Sequence, residues 1–205
     1  MWRLAYHCVI LASLASGDEE YIFWEATRVG DVTAMQQILD IVPDLDLDYH
    51  DDNGRTPLLL AILGHHAAAA QFLLSRSADV ETKGRWPGPE DGPLAVAAGL
   101  GDLELMDVLL SCGANAGAEN GPDRRTPLMV AAAAGQINAV ELLLGVGVLV
   151  DTVRGDGTTA ACWAARFGHG DILQLLLDNG ADVNHVSMIF CLTLTSNSFQ
   201  TRVVG

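Results

Sequence analysis

Few side chains in this sequence are spaced for chemistry, and each set that could do it lacks a part. Asp44, Asp46 and Asp48, followed by Asp51, Asp52, Asn53 and Gly54, offer the alternating oxygens of a calcium loop. Such a loop also needs a glycine at its sixth position and a glutamate at its twelfth, where this chain has Tyr49 and Arg55. The stretch is therefore read as a solvated loop. His65 and His66 are adjacent nitrogen ligands, but neighbours on a helical turn point apart, and the pair falls where a helix breaks. Cys8, Cys112, Cys162 and Cys191 are scattered, with neither a C-x-x-C pair nor zinc spacing. Cys162, beside Trp163, reads as a small buried hydrophobe rather than a reactive thiol. G-x-S-x-G, G-x-x-x-x-G-K, G-x-G-x-x-G and H-E-x-x-H are all missing. No catalytic residue, metal or cofactor is expected.

Composition narrows the function further. The chain has 205 residues, half of them hydrophobic, enough for one continuous core. Acidic residues outnumber basic ones 26 to 11, for a net charge of −15. That field repels phosphates and argues against nucleic acid as a partner. Met1 to Arg3 is short and basic, Leu4 to Leu14 is mostly apolar, and Ser13-Leu14-Ala15 has the look of a cleavage site. This is the outline of a secretory signal peptide; the competing reading is an extra apolar helix against the first repeat. The stretch is too short for a stable membrane span, which takes roughly 20 residues.

The elements that must position any site come from internal repetition. Ala26, Ala61, Ala97, Ala131 and Ala164 are separated by 35, 36, 34 and 33 residues. A second set of apolar pairs, from Ile38-Leu39 through Leu73-Leu74, Leu109-Leu110 and Leu143-Leu144 to Leu176-Leu177, keeps the same intervals. Insertions must therefore fall outside the stretch between the two markers, in a loop. Within a unit, Asn53-Gly54 favours a tight turn, Thr56 is a fitting N-cap, and Pro57 suits the first helical position. About three turns of helix are expected from Leu58, then a break at Gly64-His65-His66, then a second helix from Ala67. Gly113, Gly147 and Gly180 stand where left-handed residues end second helices. No helix pair can bury its apolar face alone, so the units must stack.

Thr56-Pro57-Leu58-Leu59-Leu60-Ala61 and Thr126-Pro127-Leu128-Met129-Val130-Ala131, at this period, resemble the T-P-L-H-x-A signature of ankyrin repeats. Gly101-Asp102-Leu103-Glu104, Gly168-His169 and Asn179-Gly180-Ala181-Asp182-Val183-Asn184 extend the resemblance. It implies an all-α repeat solenoid of about five stacked helix-turn-helix repeats with β-hairpin fingers. The repeats fall at 18–50, 51–83, 84–119, 120–153 and 154–186, after a segment 1–17 and before an irregular apolar tail 187–205. The first is a degenerate cap. The tail has no turn, no T-P and no helical period, so the chain is read as an incomplete or alternatively spliced form of a longer protein.

Departures from the family pattern are specific. The signature histidine is replaced by Leu59, Ala95, Met129 and Cys162, so the hydrogen bond it makes should be missing. The third repeat has Gly92 for threonine and a longer finger, and Val148-Leu149-Val150-Asp151 makes the fourth loop unusually apolar.

By resemblance, the function is that of a scaffold or adaptor binding a protein partner along a concave groove. The alternatives are the regulatory repeat region of a larger enzyme or channel, or a secreted effector. Aligning the repeats puts Asn53, Arg55, Leu63, Lys83, Arg85, Trp86, Leu100, Asp123, Arg125, Arg166 and Phe167 on the partner-binding face. Five of the 11 basic residues are in that set, which points to a partner with acidic groups beside an apolar patch. Trp86, in the inserted finger, is the candidate anchor; Trp24 and Trp163 take inward helical positions and are read as core. Asn184, preceded by Leu176, Asp182 and Val183, matches the pattern that an asparaginyl hydroxylase modifies in similar proteins. The cytoplasm or nucleus is the expected location, or the secretory pathway if residues 1–15 are a cleaved signal.

Overall fold

The computed structural model describes residues 19–83, 91–121 and 123–182. They form five helix pairs: α1 (Glu19–Arg28) with α2 (Val32–Ile41), α3 (Pro57–Leu63) with α4 (Ala67–Ser75), α5 (Pro93–Leu100) with α6 (Leu103–Ser111), α7 (Pro127–Ala134) with α8 (Ile137–Gly145), and α9 (Ala160–Phe167) with α10 (Gly170–Asp178). First helices stack on first helices and second on second, giving two layers. Contacts between successive first helices are the more extensive, above all among α5, α7 and α9. Alanine explains this: Ala97, Ala131 and Ala164 are fully buried and let the backbones approach, whereas second helices meet through leucines. The stack is therefore tighter on the first-helix side, which becomes its inner face.

Local signals set the helix ends. Thr56, Thr126 and Thr159 accept hydrogen bonds from the amides of Leu59, Met129 and Cys162, and Pro57 and Pro127 occupy first turns. Asp31 and Asp102 cap α2 and α6 in the same way. The first helices after α1 are shorter than the three turns expected; α3 has seven residues, about two turns. Leu59, Ala95, Met129 and Cys162, in the place of the signature histidine, are buried among the first helices. One polar contact survives there, the Thr159 hydroxyl donating to Cys162 Sγ at 3.5 Å. Among the described residues, the second, fourth and fifth fingers close as tight turns. Asp51 and Arg154 donate through their amides to the carbonyls of Arg55 and Thr158, and Asn120 pairs with Arg125 as an isolated antiparallel bridge.

Repeats are also tied across their boundaries. Side chains of His66, Gln136 and His169 donate to the carbonyls of Arg28, Gly99 and Ala133, near the end of the preceding first helix. In the loops, carboxylates of Asp48, Glu81 and Asp151 accept from the amides of Asp79, Asn115 and Asp182 one repeat later. Gly117 holds the corresponding position in the third repeat and has no side chain to offer. Opposite it, Leu149 is 79% exposed.

From the second repeat on, the second helices are followed by left-handed residues, at φ values of 92° for Gly113, 84° for Gly147 and 90° for Gly180. The second repeat puts Ser77 there, at φ 70°. A side chain in that conformation costs roughly 1–2 kcal/mol, partly offset in a glycine by its freer unfolded chain. Ser77→Gly is expected to stabilise the protein by about 0.5–1 kcal/mol. An unchanged or lower urea midpoint would show that this turn is not strained.

Candidate functional site

The inner face is built from first helices and the fingers that precede them. Spacing three apart on α1 brings Tyr21 and Trp24 together, with ring centroids 6.4 Å apart and planes 14° from parallel. The guanidinium of Arg55, reaching back from the second finger, lies 5.3 Å from the centre of Trp24. Asp51 fixes that arginine with an ion pair of 2.7 Å. Burial alone would raise the Asp51 carboxyl, but hydrogen bonds and charge from Arg55 outweigh it and hold the group below its ordinary value.

A second array occupies the other end. Trp163 and Phe167, four apart on α9, stack with centroids 5.6 Å apart. Arg154 lies over Trp163 at 5.3 Å and Arg166 at 5.8 Å. Arg154 is pinned by Asp123 at 2.8 Å and Asp156 at 3.4 Å, while Phe167 stays 52% exposed. Hydrogen bonds from the Thr158 side chain and amide, with the charge of Arg154, lower the Asp156 carboxyl despite some burial.

These arrays correct the placement of the tryptophans. Trp24 and Trp163 are half-buried on the inner face rather than fully enclosed, and Trp163 packs against the core from that side. Trp24 aligns with fully buried Leu59, whereas Trp163 aligns with Val130, itself only half-buried. Both indole nitrogens are buried without a hydrogen-bond partner. Sequence reasoning missed Tyr21 and Arg154. The spacing of Tyr21 from Trp24, and of Phe167 from Trp163, was the available signal, since residues three or four apart share a helical face.

Other expected face residues fall into distinct roles. Asn53 is exposed at its fingertip, and Asp123 spends its carboxylate on Arg154. Leu63 and Leu100 are half-buried and pack against the core. Lys83 is exposed, with Nζ donating to the Glu119 carbonyl at 3.3 Å. Arg125 turns inward to Asp91, a carboxylate only 3% exposed, at 2.6 Å. Arg166 is exposed and has no carboxylate partner among the described residues. Arg85, Trp86 and Asn184 lie outside the described residues. The inference of an acidic partner assumed free cations; Arg55 and Arg125 are instead neutralised by the fold.

Among the described residues, no group of three or more His, Cys, Asp or Glu side chains could hold a metal. His65 and His66 point to separate partners: His65 Nδ1 pairs with Asp102 at 2.7 Å, and His66 donates to the Arg28 carbonyl. No described helix is long and apolar enough to cross a membrane.

Comparison with known proteins agrees with this architecture. Residues 94–187 match the family model of ankyrin repeats in three copies, and residues 53–85 match the single ankyrin repeat. The chain is 32% identical over 160 residues to an ankyrin repeat domain-containing protein, SAT10, of Stachybotrys chartarum, covering 78% of this chain and 8% of that protein. It is 38% identical over 60 residues to the palmitoyltransferase AKR1 of Gibberella zeae, covering 29% of this chain and 8% of the relative. It is 28% identical over 156 residues to a probable E3 ubiquitin-protein ligase, XBOS31, of Oryza sativa subsp. japonica, covering 76% of this chain and 33% of the relative. The chain thus spans a third or less of each relative, and what is shared is the repeats. With its period, capped helix pairs and left-handed turns, and with family models matching more than half its length, the chain belongs to the ankyrin-repeat family.

Proposed function

We propose that this protein is a binding scaffold without catalytic activity, and that a partner protein lies along its inner face, touching the fingers and the exposed edges of the first helices. One observation carries the reading. Phe167, an aromatic ring half open to solvent, stands beside an exposed arginine on a helix whose other side is locked into the stack. Aromatic and arginine side chains on a rigid support are favoured anchors, because little conformational entropy is lost when a partner covers them.

Capture of a partner on immobilised full-length chain, followed by titration of variants, tests this. Phe167→Ala and Arg166→Ala are expected to keep the wild-type melting temperature. Phe167→Ala should weaken binding by about thirtyfold, the equivalent of roughly 2 kcal/mol. Trp86→Ala belongs in the same assay, as the finger anchor. A partner held equally tightly by all three, but lost when Glu104 or Asp107 on the outer layer is reversed in charge, would move the interface to the other face. A second reading, the repeat region of a larger enzyme or channel, draws on the small share of each relative that the chain spans.

A further inference from the structure

A depression of about 390 Å³ opens between α1 and the second finger, within the range of small-ligand sites. Tyr21, Trp24 and Tyr49 supply aromatic walls, and Glu20, Asp52 and Arg55 are among its polar lining. The one arginine is matched by Asp51, which also lines the site, so Glu20 and Asp52 remain as two uncompensated negative charges. Neither has a cationic partner among the described residues. Tyr21 is 68% exposed, leaving much of its ring uncovered. Tyr49 donates from its hydroxyl to the Glu20 carbonyl at 2.8 Å, which holds the finger against the helix and keeps the depression formed.

Aromatic faces and carboxylates attract the same kind of guest. The ring quadrupole places negative potential above each face, and the carboxylates add full charges, so both favour a cation. Arg55 over Trp24 shows that attraction within the chain itself. An anionic guest would meet Glu20 and Asp52 with only a neutralised arginine in return, and a net charge of −15 opposes it further. Burial first, and the charges of Glu20 and Asp51 after it, hold the Tyr49 phenol well above its ordinary value, so it stays a neutral donor to the Glu20 carbonyl.

We propose that this depression binds a basic side chain, lysine or arginine, carried by a segment of the partner protein. The proposal rests on the scaffold reading only in taking the occupant from a partner. It assigns to this end of the inner face a chemistry opposite to the acidic partner expected from sequence. The neutral members of the site, Tyr21 above all, grip the side-chain stem, and Glu20 and Asp52 pair with its charged head.

Proton–nitrogen NMR of the labelled full chain, titrated with the blocked tripeptides Gly-Lys-Gly, Gly-Arg-Gly and Gly-Glu-Gly, tests it. Saturable shifts of the Trp24 indole N–H and of the Asp51 to Asn53 amides are expected with one or both basic peptides and not with the acidic one. Binding should fall as salt rises through about 0.15 M. The double variant Tyr21→Ala with Asp52→Asn, both exposed and so without cost to the fold, should weaken it by about tenfold. No saturable shift with either basic peptide, or equal shifts with the glutamate peptide, would overturn the proposal. Binding that appears only after removal of residues 1–17 would also overturn it, by making that segment the occupant. If the peptides fail while Phe167→Ala still releases the captured partner, the pocket assignment falls and the scaffold reading stands.

Discussion

Arg125→Ala is expected to cost the fold about 3 kcal/mol, because it strands a buried carboxylate rather than trimming a surface cation. Asp91 is 3% exposed, and its ion pair with Arg125 is 2.6 Å long. Its second oxygen, Oδ1, already has no hydrogen-bond partner, so no spare donor is at hand to replace the guanidinium. Burial pushes the Asp91 carboxyl above its ordinary 3.8 even with Arg125 in place, since the arginine's charge and hydrogen bond only partly oppose it. An acid whose folded value is raised is relatively best tolerated when protonated. Its contribution to stability is full below the unfolded value and is lost as pH rises through the folded one. Removing Arg125 raises the folded value further. The deficit of the variant should therefore be largest near neutrality and shrink as pH falls towards the unfolded value. Urea denaturation of both proteins across that range checks this, and a deficit independent of pH would mean that Asp91 is not its source. Arg125 is accordingly a poor probe of partner binding, since any loss of affinity on its removal would be confounded with a damaged third-to-fourth repeat junction.

Leu109→Ala should have a comparable cost, about 3 kcal/mol, and a different signature. Leu109 is fully buried in α6, whose neighbours are α4 on one side and α8 on the other. In a stack each repeat is stabilised only by itself and its two neighbours, so a lesion in the middle weakens two interfaces together. The junction with the fourth repeat already lacks the carboxylate tie that Asp48, Glu81 and Asp151 supply elsewhere. Unfolding of the variant should become broader, with a lower apparent denaturant slope as the two ends separate. Hydrogen exchange resolved by repeat should show protection lost first around α5 and α6. The same change at Leu176, in the last described helix, should fray one end and leave the rest cooperative. A single sharp transition with unchanged slope for Leu109→Ala would count against nearest-neighbour behaviour.

How much of this was legible beforehand depends on which residue is considered. Thr56, Thr126, Pro57 and Pro127 announced their helix starts because capping is settled within four residues of chain. Gly113, Gly147 and Gly180 announced the ends for the same reason, and Ser77 was hidden because only the structure shows a serine held at positive φ. The alanine and leucine markers gave the stack its register. Arg55, Arg125, Trp24 and Trp163 were harder. Aligned repeats tell which face a residue occupies, but not whether a carboxylate from 34 residues away, as with Asp91 and Arg125, has already claimed its charge.

The chain alone therefore determined the repeat, its length, the order of caps and turns, and the family, since all of these follow from local backbone preferences and from the period at which apolar residues recur. Tertiary structure decided which charges remain open to a partner. A short-range signal cannot report the burial of Asp91, the pinning of Arg154 or the arginine stacked on Trp24, because each arises when adjacent repeats are brought together and their side chains compete for the same few ångströms of low-dielectric space.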